Sequence, residues 1–234
     1  MTLLLTSDLL GKQHWYEWLV RCAPRVDAIC VAGDLVDPFL GDIDAQREAA
    51  EFAAWRIGRD RAGFHACEGE QDLLGARWYW LKSQTGTRCH GDVAITALPW
   101  RSQNKRWFEK PDQWRRQTGC AWLVMEHEPP AGAAVGAGAG ASLQEASPAL
   151  SYQPDFLLTG HMRSAPWEPG GCWWDRRGDT VIFNAGFDPD GEFPCHILLN
   201  TTKREAVWRH PHGHECIRLD AFSRPFPSTT AQQP

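Results

Sequence analysis

Five apolar runs of strand length each end on ionisable or amide side chains, and this repeated punctuation is what most narrows the folds open to the chain. The runs end at Thr6-Ser7-Asp8, Gly33-Asp34-Leu35-Val36-Asp37, Gly69-Glu70-Gln71-Asp72, Glu126-His127-Glu128 and Gly160-His161-Met162-Arg163. One such segment carries little information. Five in order, with strand-like text before each, describe one site assembled at the carboxyl edge of a sheet.

The text between these points alternates strand-length runs with segments of helical period, the pattern of an α/β layered fold. Strands are expected over 2–7, 26–32, 64–68, 93–98, 121–125 and 155–159, and again over 180–183, 196–199 and 205–208. Trp15, Trp18, Leu19 and Cys22 fall at i, i+3, i+4 and i+7, marking one buried helix face that Pro24 ends. A second helix is expected from Ile43, with Ala49, Phe52, Ala53 and Ile57 inward. The last three strands are too close together for helical crossovers and are expected to pair antiparallel. The expected architecture is a four-layer α-β-β-α sandwich of two mixed sheets with outer helices. Residues 1–220 would form a single domain and 221–234 a disordered tail.

At 234 residues, 43% hydrophobic and 23% charged, the chain can bury one sizeable core. A formal charge of −5 argues against wholesale nucleic-acid binding through a basic surface. The eight cysteines form no C-x-x-C pair, and several sit inside apolar runs, which favours reduced, buried thiols. No apolar stretch approaches the ~20 residues of a membrane helix, and the amino-terminal run lacks the basic start of a signal peptide. A cytoplasmic location without membrane contact is the expectation.

Taken in order, the five segments resemble the calcineurin-like metallophosphoesterases, whose signature runs D-x-H, G-D-x-x-D, G-N-H-[DE], a lone H, and G-H-x-H. The resemblance extends from Asp8 to the segment 194–200. It implies two divalent metals about 3.5–4 Å apart that share a carboxylate and activate a hydroxide toward a phosphate. By this resemblance Asp34 would bridge, Asp8 would serve the first metal, and His127 and His161 the second.

The chain departs from that pattern at four positions. Leu10 stands where D-x-H has its histidine, Glu70 replaces the asparagine ligand, Gln71 replaces the histidine that assists the leaving group, and Arg163 replaces the last histidine. The first site has lost two ligands, whereas Asp34, Glu70, His127 and His161 remain as donors for the second. The guanidinium of Arg163 would project toward the vacated place and satisfy Asp8 and Asp34 with its fork. Three carboxylates and one guanidinium then sum to −2, so one dication brings the site to about zero and attracts a phosphate poorly. The lost acid histidine is a role typically worth about 10²–10⁴-fold.

The expectation is therefore a degenerate site holding at most one divalent ion (Mn, Zn or Fe), with Asp8, Asp34, Glu70, His127 and His161 as metal residues. Gln71 would touch a bound oxyanion and Arg163 would pair with Asp8. Weak or altered phosphoester hydrolysis of a small molecule is the first reading. The alternative is a pseudoenzyme that binds a protein or nucleic acid.

Several signals have plainer readings. Asp37 and Asp72 are expected to support the ligands or cap helices. Glu126 and Glu128 should point away from His127 by strand alternation. The basic, tryptophan-rich stretch 100–116 could track a nucleic-acid backbone, but a charged surface over packed tryptophans is favoured. His210, His212, His214 and Cys216 could meet a transition metal if extended, although Pro211 and Gly213 favour a solvated turn. The Ala/Gly text at 131–141 reads as a mobile loop beside the site. No G-x-x-x-x-G-K-[ST], G-x-S-x-G or H-E-x-x-H occurs, which removes P-loop, serine-hydrolase and zincin readings.

Overall fold

Alternation along each central strand feeds two separate cores, and this places the strand ends. A computed structural model describes residues 1–74, 77–138 and 147–219. In chain order the elements are β1 (Thr2–Thr6), α1 (Gln13–Cys22), β2 (Ala28–Ala32), α2 (Ile43–Arg59), β3 (Gly63–Cys67), α3 (Tyr79–Gln84), β4 (Gly86–His90), β5 (Val93–Ala97), α4 (Arg106–Thr118), β6 (Ala121–Met125), β7 (Phe156–Thr159), β8 (Trp174–Arg177), β9 (Thr180–Asn184), β10 (His196–Asn200), β11 (Glu205–His210) and β12 (Gly213–Arg218).

They form two six-stranded mixed sheets, ordered β12-β11-β10-β1-β2-β3 and β4-β5-β6-β7-β9-β8. Leu3 and Leu5 of β1 point between the sheets, where they meet Ile95, Leu123, Leu158, Phe183, Ile197 and Trp208. Leu4, one residue out of phase, packs outward with Ile29 and Val31 against Trp15 and Leu19 of α1 and Ala50, Ala53 and Ile57 of α2. On the far side Ala94, Trp122, Val124 and Ile182 pack against Phe108 of α4. The result is the expected α-β-β-α sandwich. Each fully buried large aliphatic or aromatic side chain contributes roughly 1.5–3 kcal/mol.

The differences from expectation have physical causes. The strands not foreseen, β4, β8 and β12, all lie at sheet edges, where half-exposed polar sequences such as Gly86–His90 carry no burial signal. β10 pairs antiparallel with β11, as expected, and also with β1. The 180–183 strand does not follow that rule, because it lies in the other sheet and runs parallel to β7. Phe52 is 60% exposed rather than inward; the inner face of α2 is the Ala50, Ala53, Ile57 stripe. From Arg106 onward the basic stretch is the helix α4, which runs through Pro111 and buries Phe108 while Arg106 and Lys110 face out.

Residues 210–216 are a hairpin rather than a simple solvated turn, with His210 stacked on Trp208 at 4.2 Å and His212 beside Asp188 at 3.1 Å. The described part of the Ala/Gly segment is anchored, not loose. Val135 is fully buried, Ala134 N donates to Asp175 Oδ2 at 2.8 Å, and the Val135 carbonyl accepts from Asn184. Residues 139–141 and the expected tail 221–234 lie outside the described residues. All eight cysteines are free, but only Cys30, Cys67 and Cys195 are buried. Among the described residues no helix is long and apolar enough to cross a membrane.

Candidate metal centre

Asp8, Asp34 and Glu70 lie just beyond the carboxyl ends of the parallel neighbours β1, β2 and β3, and His127 and His161 just beyond β6 and β7. The two sheets therefore deliver five separated segments to one edge. Backbone bonds lock the segments together: Asp8 N donates to the Gly33 carbonyl, Leu10 N to that of Asp34, and Gly160 N to that of His127.

Local backbone strain is concentrated here. Asp8, Asp34 and His161 adopt φ of 54°, 52° and 63°, a region that costs a non-glycine residue about 1–3 kcal/mol. Close approach explains the glycines of the motifs. A Cβ on Gly33, whose φ is 77°, would sit 2.6 Å from His127 Nδ1, and one on Gly160 would sit 2.6 Å from Asp8 Oδ2. One on Gly69 would overlap the Asp34 carboxylate.

The side chains converge in two overlapping groups. Arg163 Nε lies 2.9 Å from Asp8 Oδ1, and its Nη2 lies 2.9 Å from Asp34 Oδ2. Both carboxylates are fully buried, so the fork supplies charge that water cannot. Its guanidinium also rests 5.7 Å from the Phe187 ring. On the other side His127 Nε2 is 3.3 Å from Asp34 Oδ2 and 3.7 Å from Glu70 Oε2, while His161 Nδ1 is 2.7 Å from Glu70 Oε2.

His127 Nδ1 lies 2.5 Å from the Ala32 carbonyl. A carbonyl only accepts, so this contact keeps the proton on Nδ1 and leaves Nε2 as the ring's ligand atom once the imidazole is neutral. Burial presses that imidazole down, but the adjoining Asp34 carboxylate, with Asp8 behind it and the Ala32 carbonyl, carries it up to about 10. Burial conversely pushes the Asp34 carboxyl up, and His127, the Gln71 amide and Arg163 bring it below its ordinary value.

The donor set fits a single dication. Glu70 Oε2, His127 Nε2 and His161 Nδ1 lie within 4.8 Å of one another. Each is buried and lacks a hydrogen-bond partner, the 2.7 Å contact being out of hydrogen-bonding alignment. Buried lone pairs facing one another are costly unless a cation takes them up. The second group, Asp8, Asp34 and His127, also lies within 4.8 Å, but Arg163 already occupies its carboxylate oxygens.

The other candidates take supporting positions. Asp72 caps no α-helix; it ties two site loops together. Its Oδ1 accepts from Leu35 N and Val36 N at 2.8 and 3.2 Å, and its Oδ2 from Gly69 N at 2.9 Å. Burial and the nearby Asp34 push its carboxyl up to about 7. Asp37 closes a turn through Phe39 N, and Asp42 caps α2 instead. Gln71 reaches the site through its main chain, its N donating to Asp34 Oδ1 at 3.0 Å, while its Oε1 is buried without a partner. Glu126 and Glu128 are both buried, the latter gripping Arg101 at 2.7 and 3.2 Å.

Two neighbours escaped sequence reasoning. The Trp100 ring lies 5.5 Å from that of His127 and 6.1 Å from that of His161. Asn184 Nδ2 donates to the carbonyls of Val135 and Met162 at 2.9 and 3.0 Å and so fixes the loop that carries His161. The available signal for Asn184 was a polar residue closing an otherwise apolar strand.

No protein-family model and no curated protein matches the sequence. Solved structures do. A dimetal phosphatase from Danio rerio aligns with 11% identity over 94% of this chain and 99% of its own, at TM-score 0.62. A purple acid phosphatase from yellow lupin (Lupinus luteus) seeds aligns with 10% identity over 95% and 52%, at 0.53. A putative 5'-nucleotidase from Staphylococcus aureus aligns with 12% identity over 93% and 54%, at 0.51. The chain spans about half the length of the last two and nearly all of the first. At such identities the likeness is one of architecture: the chain shares the fold of these two phosphatases and of this putative 5'-nucleotidase.

Proposed function

We propose that the chain is a metallophosphoesterase-fold protein with a degenerate centre that takes at most one divalent ion and hydrolyses phosphoesters weakly or acts on an altered substrate. The observation that carries this reading is the guanidinium of Arg163, 2.9 Å from both Asp8 and Asp34, the two carboxylates that the resemblance assigns to the first metal. Glu70, His127 and His161, joined by Asp34, would hold the remaining ion. Their imidazole and carboxylate donors suit manganese, zinc or iron.

When bound, such an ion supplies Lewis-acid polarisation and a more acidic water. The chain's own groups do the rest. Arg163 pairs with the two buried aspartates, offsetting one of their two charges, and presents its remaining N–H edge to an oxyanion. Gln71, close to Asp34 through its backbone, orients an oxygen but cannot deliver a proton usefully, so leaving-group protonation is unassisted. Three carboxylates against one guanidinium leave −2 before metal and about zero after, which disfavours phosphate entry. Metal analysis together with calorimetric titration of manganese and zinc tests the reading; two tightly held ions per chain would sink it.

A second reading, as a binding module for another protein, is favoured by the exposed Phe39, Leu40, Leu73 and Leu74 on the segments that follow Asp34 and Glu70. Chelation separates the two, because a binder keeps its partner without metal. A cytoplasmic setting suits either.

A further inference from the structure

A second concavity lies on the outer face of the β1-containing sheet, where α1 leaves β10 and β11 uncovered. Its volume is about 360 Å³, within the range of small-ligand pockets. None of its lining residues belongs to the strand-end cluster. Leu4, Val26 and Leu198 line its apolar part, together with three mutually touching rings. Trp18 stacks on Phe193 at 5.7 Å and 23°, and lies 4.6 Å from His196. Arg25 and Arg209 also line it.

Both arginines are exposed, and neither guanidinium makes a hydrogen bond or ion pair among the described residues. The lining includes no acidic residue, although the chain as a whole carries −5. A packing gap between a helix and a sheet gives no reason for two unpaired cations from separate elements to border it. A bound anion does. Aromatic walls add a preference for a flat partner, by ring stacking. His196 is 4% exposed and its Nδ1 contacts the Pro194 carbonyl at 2.9 Å, so the neutral ring keeps Nε2 as an acceptor.

We propose that this cavity binds a planar aromatic anion, the ring lying against Trp18, Phe193 and His196 and the charged group held between Arg25 and Arg209. The site is independent of the strand-end centre and of any reaction there.

Calorimetric titration of the full chain with 2-naphthoate, 2-naphthalenephosphonate and the neutral 2-naphthamide tests it. Either anion should saturate one site, and the tighter of the two identifies carboxylate or phosphate-like head groups as the natural class. The amide should bind at least tenfold more weakly. Arg25→Ala with Arg209→Ala should weaken both anions at least tenfold without changing the melting temperature, because both side chains are exposed. Asp34→Asn should leave the affinity unchanged. No saturable binding of either anion, equal affinity for the amide, retention of affinity in the double variant, or its loss in Asp34→Asn would each overturn the assignment.

Discussion

Oδ2 of Asp34 lies between two nitrogens: Arg163 Nη2 is 2.9 Å from it and His127 Nε2 is 3.3 Å from it. A carboxylate so placed, fully buried and on a residue with a φ of 52°, is held by the surrounding charges rather than by water. The consequences for stability and metal binding can be measured separately.

Removal of the fork should expose the cost of two buried carboxylates. Breaking a buried pair from one side costs about 3–5 kcal/mol, and since the Arg163 side chain is 32% exposed, solvent screening reduces this. Arg163→Ala should lose about 2 kcal/mol in urea denaturation at pH 7 with chelator present, and manganese should restore part of it. An unchanged midpoint contradicts the pairing.

Removing one of the three convergent donors should act on metal and little else. His161→Ala is expected to weaken manganese or zinc binding at least tenfold while the far-ultraviolet circular dichroism stays unchanged, since the His161 side chain is 24% exposed. Titration calorimetry reads this directly. Equal affinity in the variant would remove His161 from the ligand set.

Restoring the family pattern should restore the charge balance. Leu10→His, Glu70→Asn, Gln71→His and Arg163→His together remove one carboxylate and one guanidinium and add three imidazoles. The variant should bind two ions and hydrolyse an aryl phosphate at least about 10²-fold faster, the lower range for a general acid. A folded, two-metal, inactive variant would refute the charge argument.

Asp72 predicts a coupling between loop geometry and metal. Asp72→Ala strands three backbone N–H groups, each worth about 1–3 kcal/mol when buried and unpaired. Both the urea midpoint and metal affinity should fall. A loss of stability with metal affinity intact would show that Asp72 supports the fold alone.

Glu126 supplies a pH dependence. Burial holds its carboxyl up to about 8, the Ser147 hydroxyl opposing and Glu128 adding. The folded chain therefore binds more protons there than the unfolded chain, whose glutamate has a pKa near 4.5. The associated stability is fully present below about 4.5 and is lost as pH rises through about 8. Relative to Glu126→Gln, the parent should weaken by on the order of a few kcal/mol between pH 5 and pH 9. Parallel stability profiles for the two proteins would show that Glu126 does not titrate in this range.

The central strands were legible in the sequence because each is buried on both sides, so its composition alone marks it; β2, β5, β6 and β9 are examples. The segments that follow them were legible for a related reason. Polar groups at the end of a buried run need a purpose, and five in order narrow it to one edge. The edge strands β4, β8 and β12 were not legible, since half-exposed strands carry no burial pattern. The helix α4 was hidden by Pro111 and by its charge.

What the sequence determined by itself, then, was the layered architecture and the roster of ionisable residues, because hydrophobic period and residue type are local properties. Which lone pairs face one another was decided only in three dimensions. The Ala32 carbonyl that sets the His127 tautomer, the Trp100 ring over both histidines and the Asn184 amide that fixes the His161 loop come from elements far apart in the chain. Their contacts exist only once two sheets have packed and brought those strand ends to the same edge.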